Sequence, residues 1–144
     1  MANGTLGQSA LAANTDTTVY KSGTETVTYT VTVAGGKFVI NGVSQDTLTL
    51  REGSTYTFDQ SDATNATHPL RLSATADGTH GGGTEYTTGV TTNGTPGQAG
   101  ATTQIVVATG APTLYYYCSS HSAMGGTANT SANTVTSSTV NVSL

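Results

Sequence analysis

The chain has 144 residues, enough for one domain with a sizeable core, and its 8% of charged residues and net charge of −4 leave no basic patch, so nucleic acid is not an expected partner. A single cysteine excludes an intrachain disulfide, and no apolar run is long enough to suggest a membrane span. Thr, Ser, Gly and Asn dominate the rest; β-branched residues fit a pleated, half-buried surface, and no window carries the i, i+3, i+4, i+7 spacing of a helix, so strands are expected.

Residues 1–22 read as a polar N-terminal arm with one possible short strand at 17–20. The opening MANGTLGQSALAAN has neither the basic start nor the apolar core of a signal peptide, and Met1 favours a protein that does not use that export route. At 26–33, Val27, Tyr29, Val31 and Val33 alternate with Thr26, Thr28, Thr30 and Thr32, the pattern of a half-buried strand. Gly35 and Gly36 turn the chain into 37–40, and Asn41-Gly42 is the dipeptide suited to a type I′ turn, leading to Val43. Leu48 with Leu50, and Tyr56 with Phe58, mark two strands that the turn at Glu52-Gly53 would join as a hairpin.

Residues 59–66 are polar and deliver the chain to Thr67-His68-Pro69-Leu70-Arg71-Leu72, where His68 shares strand parity with Leu70 and Leu72 and is expected to face inward. The stretch 77–100 is rich in Gly and Thr and long for a loop, which points to a functional or mobile segment. His80 within it reads as a solvated loop histidine rather than a ligand, because flanking glycines do not fix a side chain as a metal site requires. An apolar strand follows at 104–107, and Gly110 and Pro112 turn it into another at 114–117. Residues 127–138 are low-complexity polar sequence, and Val140, Val142 and Leu144 alternate as if for a last strand. Many short strands with turn signals between them and no helix predict an all-β fold, an antiparallel Greek-key β-sandwich. The organisation expected is an arm at 1–22, a sandwich at 23–126 and a polar tail at 127–144.

The chemistry concentrates in LYYYCSSHSAMGG, residues 114–126, which holds the only cysteine. Strand parity puts Leu114, Tyr116 and Cys118 on one face and Tyr115 and Tyr117 on the other, and the Ser- and Gly-rich run after Cys118 suits a tight loop. Such a loop brings the Cys118 thiolate, the His121 imidazole and the Met124 thioether round one point, and His68 supplies a second imidazole. Two imidazoles, one thiolate and a weak axial thioether are the donors of a copper electron-transfer site. Thioether is not a usual zinc ligand. A cysteine nucleophile would need an orienting third group and an oxyanion hole, for which no motif appears, so an enzyme is not expected. Taken alone, Cys118 has a plainer reading as a small buried hydrophobe.

Cys-x2-His-x2-Met after an aromatic strand, with one upstream histidine, resembles the cupredoxin (blue copper) family. Its loop spacing is similar to that of amicyanin, whereas plastocyanin has a longer interval between the second histidine and the methionine. The resemblance covers roughly residues 29–126. It implies the cupredoxin sandwich, copper as cofactor, His68, Cys118 and His121 as equatorial ligands and Met124 as the axial one. Separately, LGQSALAANTDTTVY resembles the opening of virion structural proteins of marine bacteriophages. KFVINGVSQDTLTL with HPLRLS and YYYCSSH resembles cupredoxin-like domains found in such proteins. That implies a component of a virion surface with other capsid or tail subunits as partners. The alternative is a soluble periplasmic carrier of single electrons with a redox protein as partner.

Overall fold

The computed structural model describes residues 17–20, 23–133 and 135–138. The strands are β1 (Thr17–Tyr20), β2 (Thr26–Ala34), β3 (Lys37–Ile40), β4 (Val43–Ser44), β5 (Leu48–Arg51), β6 (Thr55–Asp59), β7 (Leu70–Ser73), β8 (Val90–Asn93), β9 (Thr102–Val106), β10 (Leu114–Cys118), β11 (Gly126–Ser131) and β12 (Val135–Ser138). Within residues 24–132 they form a six-stranded sheet, β4-β3-β2-β6-β9-β8, and a four-stranded sheet, β5-β11-β10-β7. The all-β sandwich expected from the strand pattern is what the chain forms, and among the described residues only single 3-10 turns at Ala63–Asn65 and Gly78–Gly81 interrupt it.

Period-two alternation builds the core. Val31, Phe38, Ile40, Tyr56, Phe58 and Ile105 come inward from the larger sheet, and Leu48, Leu50, Leu70, Leu72, Leu114 and Tyr116 from the smaller. Each such side chain contributes about 1.5–3 kcal/mol of burial. The outward rows of the larger sheet are the threonines of the sequence pattern, Thr26, Thr28 and Thr30 being exposed. Asn41 and Gly42 both take positive φ, 48° and 87°, so the β3–β4 connection is the type I′ turn that the dipeptide predicts.

The sheets are mixed rather than antiparallel throughout. β2 runs parallel to β6 over its first half and antiparallel to β3 over its second, and β11 runs parallel to β5. Where β2 leaves β6, side chains replace the missing strand: Asn65 Nδ2 donates to the Val31 carbonyl (2.7 Å) and Thr64 Oγ1 accepts from the Val33 N–H (2.9 Å). The Ala63–Asn65 turn, capped by Asp62 accepting from the Thr64 N–H, thereby becomes part of the sheet edge.

Three expectations need correction. β5 and β6 are not a hairpin: Glu52 and Gly53 carry the chain from one sheet to the other, with the Glu52 N–H bonded to the Ser131 carbonyl and the Gly53 N–H to the Val107 carbonyl. Leu48 and Leu50 therefore face Tyr56 and Phe58 across the core. The stretch 77–100 is not all loop, since it contains a 3-10 turn and β8. The polar sequence after Gly126 is not all tail: β11 pairs with both β10 and β5, so the sandwich runs on to residue 132.

A second unit holds β1 and β12, which pair antiparallel from Thr17↔Ser138 to Tyr20↔Val135. The strand expected at Val140, Val142 and Leu144 lies outside the described residues.

Candidate metal centre

The two histidines and the cysteine among the predicted donors meet. Nδ1 of His68 lies 3.8 Å and Nδ1 of His121 3.7 Å from Sγ of Cys118, and all three donor atoms lie within 4.8 Å of one another. Metal bonds of about 2.3 Å to a thiolate and about 2.0 Å to an imidazole, meeting at the ~120° of a trigonal plane, would separate the two donors by about 3.7 Å. The residues present therefore fit a single metal ion held by two imidazoles and one thiolate.

Cys118 closes β10 and is fully buried. Its neighbour Ser119 donates to the Pro69 carbonyl, which ties the start of the ligand loop to the segment carrying His68. His68 sits just before β7 rather than in it, half-buried, after Thr67 in the left-handed region (φ 68°). A β-branched residue rarely adopts that conformation, so something must hold it there. The His68 N–H donates to the Asn65 carbonyl and the His68 carbonyl accepts from Gln60 Nε2 at 2.7 Å. Gln60 also bonds the Leu70 N–H through Oε1 (2.9 Å) and the Asn65 side chain through Nε2 (3.1 Å). Because Pro69 has no N–H, these bonds pair the main-chain groups on either side of it.

The ligand loop is gripped at its far end. Ala123, also left-handed (φ 61°), has its carbonyl bonded by Lys37 Nζ (2.7 Å) and Gln45 Nε2 (3.2 Å), and its N–H by Asp77 Oδ1 (2.9 Å). The Met124 carbonyl accepts from the Phe38 N–H, and Met124 is buried in the same apolar cluster as Cys118. Gly125 is required by close approach, because a Cβ there would strike the Tyr116 carbonyl.

Burial first, and the neighbouring His121 second, hold the His68 imidazole below its ordinary pKa. That favours the neutral ring, the form that binds a metal. His121 is exposed, so the centre reaches the surface through this residue.

His80 is neither in the donor group nor simply solvated. Its Nε2 lies 2.8 Å from the Cys118 carbonyl, and its ring stands edge-on to Tyr117 at 6.3 Å. Tyr117, expected on the outer face, is buried because the Gly78–Gly81 turn packs over it. Sequence reasoning missed Gln60, Asn65, Asp77 and Gln45, whose side chains act through hydrogen bonds that leave no spacing signal. A cavity of about 300 Å³ lined by Ala76, Asp77, Tyr115, Gly126 and others has none of the three donors in its wall. Comparison with the sequence models of known families finds no match, and comparison with characterised proteins finds none either.

Proposed function

We propose that this chain is a cupredoxin-like sandwich that binds one copper ion through His68, Cys118 and His121, with the Met124 thioether as a weak axial contact. It has no enzymatic role. The observation that carries this reading is the pair of Sγ to Nδ1 separations, 3.8 and 3.7 Å, at a buried cysteine beside one exposed and one half-buried imidazole. The thioether, which is not a usual zinc ligand, favours copper over zinc in such a set. Copper would supply one-electron redox chemistry there. The protein's part is to hold the donors still and shield the thiolate, and to leave the His121 edge open to solvent. Titrating the metal-free protein with Cu(II) should give one intensely coloured equivalent, and Cys118→Ser should abolish the colour. A folded wild-type protein that stays colourless with Cu(II) overturns the assignment.

A second observation bears on where the centre works. β1 and β12 pair as a two-stranded ribbon in a unit of their own, and a two-stranded ribbon is marginal by itself. A ribbon of this kind suits attachment to other subunits, which supports the virion-component reading over the freely diffusing electron carrier.

A further inference from the structure

We infer that His80 is a positioning residue for the Cys118 thiolate, acting through the Cys118 carbonyl. The inference rests on the reading of Cys118 as a metal ligand. Cys118 is the last residue of β10 and the last to pair with β7, opposite Leu70, so its carbonyl lies where the strand ladder stops. A buried carbonyl at that point needs a partner. His80 Nε2, at 2.8 Å, is that partner. Since a carbonyl only accepts, the bond fixes the proton of His80 on Nε2.

The turn that carries His80 is built for this contact. Its own N–H donates to the Asp77 carbonyl, and its ring packs edge-on against Tyr117, the residue preceding the ligand. Gly78 has φ 55°, and a Cβ on it would fall 2.5 Å from atoms of the Tyr117 ring. Only glycine lets the turn lie so close to β10. Gly78, one of the glycines that made His80 look unanchored in the sequence, is what brings the turn against the strand.

The same turn reaches the other end of the ligand loop, where Asp77 Oδ1 accepts from the Ala123 N–H at 2.9 Å. Asp77 and His80 thus clamp the loop at Cys118 and at Ala123, with His121 between them. A hydrogen bond on the Cys118 carbonyl fixes the plane of the peptide leaving Cys118. That plane sets the direction of the Cα–Cβ–Sγ arm relative to the two imidazoles. If the bond only satisfied a stray carbonyl, its loss would cost a little stability and leave the sulfur where it is. If it positions the sulfur, its loss changes thiolate reactivity and thiolate-to-metal overlap.

The test compares His80→Ala with His80→Gln, whose amide can still donate to the carbonyl. The first measurement is the rate of Cys118 alkylation by iodoacetamide in the full-length, metal-free protein, with urea unfolding run alongside to hold stability in view. The second is the position and relative intensity of the thiolate-to-Cu(II) bands, with the copper hyperfine splitting. Because the His80 side chain is at the surface, both variants should fold. Alkylation should rise about fivefold in His80→Ala, the factor equivalent to one ordinary hydrogen bond, and the Cu(II) bands should shift; His80→Gln should restore both. The inference is overturned if His80→Ala matches the wild type in rate and spectrum, or if His80→Gln behaves like His80→Ala. If the wild type takes no Cu(II), the copper reading fails, and the alkylation rates alone then decide for or against His80.

Discussion

Gln60 does for His68 what a neighbouring strand does for an ordinary β residue. One buried amide bonds the His68 carbonyl, the Leu70 N–H and the Asn65 side chain. Truncation would leave at least two buried main-chain groups without partners, so Gln60→Ala should destabilise the metal-free protein by about 2–4 kcal/mol in urea unfolding and weaken metal binding. The pH dependence should report His68 itself. With its folded pKa below the ordinary 6.5, the unfolded chain binds that proton more readily than the folded one. The stability linked to this ring is therefore fully present above pH 6.5 and is lost as pH falls through the lowered folded value. Urea midpoints of metal-free protein should drop as the pH falls below 6.5, and His68→Gln should flatten that drop.

Elements were legible in the sequence where alternation or a turn dipeptide carries the information, as in β2, β6 and the Asn41-Gly42 turn. The donors were legible because Cys118 and His121 sit in one short loop. What alternation does not encode is which sheet a strand joins. Leu48 and Leu50 followed by Tyr56 and Phe58 read alike whether the strands share a sheet or face each other across a core, and only the pairing of β5 with β11 decides it. β11 itself was hidden because Gly126, Thr127 and Asn129 look like loop residues; its inward residue is the small Ala128. The Gly78–Gly81 turn is the clearest case of composition misread as looseness. Gly78→Ala should cost about 2–3 kcal/mol in urea unfolding, because the added methyl must displace the buried Tyr117 ring from a backbone that already needs positive φ. The Cu(II) bands of that variant should shift in the same direction as those of His80→Ala.

At the scale of the molecule, the polar and apolar bookkeeping of the sandwich closes within residues 24–132. Both sheets, the core cluster and the three donors all belong to that unit. Among the described residues the core cluster is drawn from 24–132 alone, and an open strand edge is a ready template for pairing with another chain. The truncated chain 24–132 should therefore fold, melt close to the full-length protein and bind one Cu(II) with the same spectrum, as measured by thermal unfolding and absorption titration. Attachment should be what it loses. When both forms are expressed during assembly of a phage particle, the full-length chain should co-purify with the particles and the truncated chain should stay in the soluble fraction. Equal incorporation of the two forms, or a full-length chain that remains a free monomer beside assembled particles, would remove the proposed virion role and leave soluble electron transfer as the proposed use of the metal centre.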